Sequence, residues 1–138
     1  MNSSERSNGP RRILIVDDYA AILSWASRSF QAAGWQVETA DNGRKALERW
    51  TQLLAAGTPP DVVLTDAALP VLSGAALARR LREEVPTLPI VVMHGQDLIA
   101  SEWAETLRTC SIAVAKPVSA GVLLDAAQRL SVRNILAA

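Results

Sequence analysis

Three short apolar runs constrain this chain more than anything else in it. Ile13-Leu14-Ile15-Val16, Val62-Val63-Leu64 and Ile90-Val91-Val92-Met93 are continuous and mostly β-branched. Runs of this length and type suit strands covered on both faces, as in a parallel sheet, because both alternating sets of side chains then meet apolar partners. Each run stops abruptly at polar or small residues: Asp17-Asp18, Asp66, and His94-Gly95-Gln96. Two weaker segments complete the set. Trp35 to Ala40 alternates and predicts a sheet edge, and Ile112 to Ala115 is a short fifth strand closed by Lys116-Pro117.

Between the runs the apolar period lengthens to that of a helix. Ile22, Ala26 and Phe30 fall four apart with Leu23 beside them, and Gly34 supplies the stop. Ala46, Leu47, Trp50, Leu53 and Leu54 form a second stripe behind a cap at Asp41 or Asn42, and Gly57 with Pro59-Pro60 breaks it. Ser73 caps a third, buried through Leu77, Leu81 and Val85, with Arg79, Arg80, Arg82, Glu83 and Glu84 outward as a solvated face. Asp97 caps a fourth carrying Ile99, Trp103 and Leu107, and Ser119 opens a fifth with Leu123, Ala127 and Leu130. Parallel connections need crossovers, which are usually helical, so the expected fold is α/β: a doubly wound, five-stranded parallel sheet with five helices.

The 138 residues are the size of one ordinary domain. Residues 1–10, polar and closed by Gly-Pro, read as a disordered leader, and residues 11–138 as the domain. Lysine plus arginine equals aspartate plus glutamate at 14 each, which gives no field to draw nucleic acid or an anionic membrane. Cys110 stands alone, so neither a disulfide nor a Cys/His zinc site is available. No apolar run approaches the roughly 20 residues of a membrane span, and a cytoplasmic location is the expectation. The four tryptophans read as core and rim packing, with Trp103 the one candidate for a partner surface.

In open parallel sheets, ligands bind beyond the carboxyl ends of the strands. Asp17 and Asp18, Asp66 and Lys116 all fall at such ends. If the first and third strands are neighbours, the three carboxylates converge, and they stay ionised together only if a cation compensates them. Mg²⁺ fits best, since it is held by one or two carboxylates plus waters and phosphate oxygens. Lys116 adds a fixed positive charge, and a carboxylate of Asp66 can itself be the nucleophile of a phosphoryl transfer.

The ordered set of ILIVDD at 13–18, Asn42-Gly43, VVLTDAALPVLSG at 62–74, PIVVM at 89–93 and Lys116-Pro117 resembles a response-regulator receiver domain of two-component signalling. The resemblance spans nearly the whole chain and implies the flavodoxin-like strand order 2-1-3-4-5. It also implies that Asp66 takes a phosphoryl group from a sensor histidine kinase, a histidine phosphotransfer protein or a small donor such as acetyl phosphate. Asp18, Asp66 and the Ala68 carbonyl would then hold Mg²⁺, with Asp17 acting through a bound water. Lys116 would contact the phosphoryl group, and the Lys116–Pro117 bond would be cis. Output would go to a downstream protein through the face of the fourth helix, fifth strand and fifth helix. No catalysis is implied beyond transfer onto Asp66 and hydrolysis of the product.

Two positions depart from that pattern. Receivers usually carry Thr or Ser where His94 stands, and Tyr or Phe where Ala113 stands. His94 is therefore read in one of two ways, as an atypical switch whose ring N–H donates to a phosphoryl oxygen with Ala113 leaving room beside it, or as a partly buried histidine satisfied by backbone groups. Other functions stay open at this point. The leading reading is a single-domain phospho-acceptor regulator, and the alternatives are a degenerate receiver acting as a phosphorylation-independent interaction module or the receiver of a larger hybrid kinase or regulator. A haloacid-dehalogenase-like phosphatase would want Asp two residues after its nucleophile, where Ala68 and Tyr19 stand. A dinucleotide enzyme would want a Gly-rich turn where Asp17-Asp18-Tyr19 stands.

Overall fold

The computed structural model describes residues 9–95, 104, 108 and 110–137, and side chains in the last helix only through residue 131. The apolar runs become β1 (Arg12–Val16), β3 (Val62–Asp66) and β4 (Ile90–His94), joined by β2 (Gln36–Ala40) and β5 (Ile112–Ala115). All pairings are parallel, in the order β2-β1-β3-β4-β5. Among the described residues the helices with full bounds are α1 (Ala20–Ala32), α2 (Gly43–Ala55), α3 (Gly74–Glu84) and α4 (Ala120–Ala137). The fifth helical pattern of the sequence is thus α4. Asp97, Ile99, Trp103 and Leu107, on which the fourth pattern rests, lie outside the described residues, as do residues 1–8 of the leader.

Alternation along the strands feeds two separate cores. Leu14, Val16, Val63, Ile90 and Val92 pack with Ala46 and Trp50 of α2 and with Leu77, Ala78 and Leu81 of α3. Ile13, Ile15, Val62, Leu64, Val91 and Met93 pack on the other face with Ala26 and Phe30 of α1 and with Leu123 and Ala127 of α4. An unbroken apolar run is what a strand needs when both of its faces are covered. The edge strands lack one: β2 is buried fully only at Ala40, and no residue of β5 is fully buried.

Local signals set most boundaries. Asn42, rather than Asp41, caps α2 by accepting the Lys45 N–H at 2.9 Å, and Ser73 caps α3 by accepting from Ala76 at 3.1 Å. Ser119 accepts from Val122 at 3.2 Å where α4 begins. Trp35 precedes β2 and instead meets Phe30 edge to face, with ring centroids 5.4 Å apart, locking the turn from α1 into the sheet. The expectation of a purely solvated outer face on α3 fails at two residues. Glu84 accepts the Trp50 indole N–H at 2.9 Å, and the Arg82 guanidinium donates to the Leu88 carbonyl at 3.1 Å and to Ser111 Oγ at 2.8 Å. Both are long enough to reach back over the core edge, which a helical-period reading of charge cannot register.

Among the described residues one non-glycine backbone conformation is strained. Val71 sits at φ 71°, and the Leu72 N–H closes a three-residue turn on the Pro70 carbonyl at 2.7 Å. A β-branched residue held there costs on the order of 1–3 kcal/mol.

Candidate phosphoryl-transfer site

The site forms where β1, β3 and β5 run out at one end of the sheet. Asp17 extends β1 by one further bond, its N–H donating to the Ala40 carbonyl at 3.2 Å. Its side chain is fully buried, and Oδ1 accepts the Tyr19 N–H at 2.9 Å, which turns the chain into α1. Asp66 ends β3 opposite Met93 of β4. Its Oδ1 accepts the Ala68 N–H at 3.1 Å and its Oδ2 accepts from Lys116 Nζ at 2.8 Å. Lys116 is anchored beside β4, its backbone N–H donating to the His94 carbonyl at 2.8 Å, and its ammonium also lies 3.6 Å from Asp17 Oδ2. The Lys116–Pro117 peptide is cis.

One carboxylate oxygen each from Asp17, Asp18 and Asp66 lies within 4.8 Å of the others, with Asp18 on the exposed side. Burial pushes the Asp17 carboxyl above its ordinary pKa, and the neighbouring Asp66 and Asp18 charges add to the rise, against the opposing pull of the Tyr19 N–H and Lys116. For Lys116, burial pulls the pKa down, but the hydrogen bond and charge of Asp66, together with the charge of Asp17, outweigh it and hold the ammonium above its usual value. Asp17 Oδ2 is buried and accepts no hydrogen bond. Three carboxylates this close, one of them with a buried oxygen that has no hydrogen-bond donor, make a donor set that suits a hard divalent cation.

The sequence-selected residues Asp17, Asp18, Asp66 and Lys116 therefore meet, across 50 residues between Asp66 and Lys116. Ala68 follows Asp66 at the rim and is exposed. His94 ends β4 half-buried, with Nδ1 3.3 Å from the Gly95 carbonyl oxygen. The register pairs it with Ala115, and Ala113 pairs with Val92, which puts Ala113 on the same face of the sheet one alternate position back.

Two supporting glycines were not singled out for this role from the sequence. A Cβ on Gly74 would collide with the Asp66 carbonyl and come within 2.9 Å of Ala67 Cα. A Cβ on Gly43 would lie 2.7 Å from the Leu72 carbonyl oxygen. The loop from β3 to α3 is thus pressed against the acceptor strand at one end and against the start of α2 in its middle. Sequence offers Gly74 only as a residue after a cap; the close approach exists only once β3 and α3 are folded together.

The response regulator receiver domain family matches residues 13–128. The chain is 38% identical over 95 residues to response regulator MprA of Mycolicibacterium vanbaalenii, a match covering 69% of this chain and 39% of that protein. It spans about two fifths of the length of that relative. Among solved structures it resembles a response regulator receiver domain protein from Clostridium thermocellum, with TM-score 0.83 and 25% identity, covering 93% of this chain and 99% of the other. It also resembles the chemotaxis response regulator CheY4 of Vibrio cholerae, with TM-score 0.74 and 27% identity, covering 88% and 99%. With the parallel sheet, the acidic cluster at its carboxyl end and a family match over most of its length, the chain belongs to the response-regulator receiver domains of two-component signalling.

Proposed function

We propose that Asp66 accepts a phosphoryl group from the phosphohistidine of a sensor kinase or histidine phosphotransfer protein. The chain then signals by protein–protein contact rather than by catalysis on another substrate. The observation that carries this reading is the Lys116 ammonium 2.8 Å from Asp66 Oδ2 beside the three-carboxylate cluster. In the transfer, an Asp66 carboxylate oxygen forms a bond to phosphorus while the P–N bond to the donor imidazole breaks and its electron pair returns to the ring nitrogen. The product is an acyl phosphate, and attack by water restores Asp66 and inorganic phosphate. The Ala68 N–H, bonded to Oδ1, orients the carboxylate, and Lys116 moves its hydrogen bond from Asp66 to a transferring oxygen. Asp18, Asp66 and the Ala68 carbonyl would hold Mg²⁺, with Asp17 contributing through a water. When bound, Mg²⁺ supplies charge neutralisation for the carboxylates and the phosphoryl oxygens.

The receiver domain is assigned to residues 11–138, acting in the cytoplasm; among the described residues no helix is long and apolar enough to cross a membrane. His94 is assigned the readout, its ring N–H donating to the phosphoryl oxygen, with the small Ala113 beside it. The downstream partner is assigned to the face of β5 and α4, together with the helix that the sequence predicts from Asp97, which lies outside the described residues. The same two positions support a second reading, a phosphorylation-independent interaction module held in one state.

Intact mass after incubation with acetyl phosphate and Mg²⁺ separates the readings. One added phosphoryl group, lost in Asp66→Ala and on chelation of Mg²⁺, is the expected result. No addition with any donor leaves the second reading standing.

A further inference from the structure

We propose that Thr65 is a positioning residue for phosphoryl transfer, its hydroxyl fixing the peptide plane that leads out of Asp66 and so the direction of the Asp66 carboxylate. The proposal rests on reading Asp66 as the acceptor. Thr65 is fully buried. It pairs with Val16 of β1 and Val92 of β4, and the alternate position before it on β3 is Val63. All three valines belong to the core under α2 and α3. Valine has nearly the shape of threonine and would fill this place without a polar atom, whereas a buried hydroxyl is destabilising unless it is hydrogen-bonded. The Thr65 hydroxyl donates its proton to the Asp66 carbonyl at 3.0 Å. Packing accounts for the branched shape of the side chain, and the hydroxyl is left to act on the acceptor.

Two consecutive peptide units carry the chain out of the sheet after Asp66, and each is held on both sides. In the first, the Asp66 carbonyl accepts from Thr65 and the Ala67 N–H donates to the Met93 carbonyl at 2.8 Å. In the second, the Ala67 carbonyl accepts the Gly74 N–H at 3.0 Å and the Ala68 N–H donates to Asp66 Oδ1 at 3.1 Å. Three of these bonds join backbone groups or close on Asp66 itself. The fourth comes from a side chain outside the acidic cluster, where the support of β1 gives out: the β1–β3 register stops at Val16 opposite Thr65, one residue short of Asp66. Without the Thr65 bond the first peptide can rock about its flanking single bonds, and the Ala68 N–H shifts with it. The carboxylate that this N–H orients then loses its fixed direction relative to Lys116, which holds Oδ2 at 2.8 Å. A reacting group misplaced in this way costs rate before it costs the fold.

The test uses the full chain with Thr65→Ser, Thr65→Val and Thr65→Ala, which separate the hydroxyl from the branched apolar shape. Serine keeps the first, valine the second, and alanine neither. Labelling by acetyl phosphate with Mg²⁺ is followed by intact mass at a temperature at which thermal unfolding shows the proteins folded. Thr65→Val and Thr65→Ala are expected to label about tenfold more slowly than the unaltered chain, the size of one lost hydrogen bond. Thr65→Ser should stay within about twofold of the unaltered rate, although loss of the buried methyl lowers its unfolding temperature. A role in packing alone gives the other order, with Thr65→Ser slowed at least as much as Thr65→Val. That order, or equal rates for all four proteins, overturns the proposal. If Thr65→Ala does not fold, the comparison of Thr65→Val with Thr65→Ser decides by itself. Failure of acetyl phosphate and of phosphohistidine donors to label the unaltered chain removes the acceptor reading, and this proposal with it.

Discussion

The ends of β1 and β3 and the ends of β4 and β5 meet at one site but are built under different constraints. Asp17 and Asp66 continue strands that have a neighbour on each side, and both are buried with their carboxylates tied to backbone N–H groups. His94 is half-buried, Ala113 is half-buried, and β5 is an edge strand with Ile112 40% exposed. Any side chain introduced among the central carboxylates must satisfy burial, charge and hydrogen bonding together. At the margin a change in size or chemistry is absorbed by solvent or by a partner. Both departures from the usual receiver pattern stand at half-buried positions, His94 at the end of the interior strand β4 and Ala113 on the edge strand β5, while the buried acidic centre keeps its residues.

The contrast is broken most directly by packing. Leu64→Ala, on the central β3 and almost fully buried, should cost about 2–5 kcal/mol, whereas Ile112→Ala on β5 should cost about 1 kcal/mol or less. Chemical denaturation of both variants measures the difference, and equal losses would show that the edge is packed as tightly as the centre. Next in size, Lys116→Ala should slow labelling of Asp66 by acetyl phosphate on the order of 100-fold, the usual effect of removing one preorganised charge donor. A rate within about threefold of the parent would place that donor elsewhere.

A smaller effect concerns stability and pH. The Asp17 carboxyl has a folded-state pKa raised above its ordinary 3.8, so the folded chain binds more protons than the unfolded one just above that value. Stability attributable to this group therefore falls as pH rises from about 3.8 through its raised pKa. In chelator, Asp17→Asn should unfold at a higher temperature than the parent at neutral pH, and the gap should shrink on acidification; added Mg²⁺ should also narrow it. A gap independent of pH would assign the effect to packing. The smallest expected change is at His94. His94→Ala should leave labelling within a few-fold while reducing the difference between phosphorylated and unphosphorylated forms in amide hydrogen exchange over β4 and β5. An undiminished difference removes His94 from the readout.

Much of the fold was legible because its signals are local. Continuous β-branched runs, a shift to helical period and capping residues such as Asn42 and Ser73 act within a few residues of themselves, and these gave the strands and most helix starts. Legibility was lost where a long side chain reaches across elements. Arg82 and Glu84 look like a solvated face in sequence, yet one ties α3 to the starts of β4 and β5 and the other caps the Trp50 indole. Val71 gave no signal at all, since its backbone strain follows from the turn that holds it.

The sequence by itself determined which residues bear chemistry and that each stands at the end of a strand, because apolar runs must stop where charge begins. The resemblance to receivers supplied the strand order. Only the tertiary structure decided that Lys116 reaches Asp66 at 2.8 Å and Asp17 at 3.6 Å, that a buried oxygen of Asp17 goes without a hydrogen-bond donor, and that Gly74 must lack a side chain for α3 to lie against Asp66. Those facts depend on distances between segments far apart in the chain. Such distances are set by how two helix layers pack on one sheet, and no local pattern contains them.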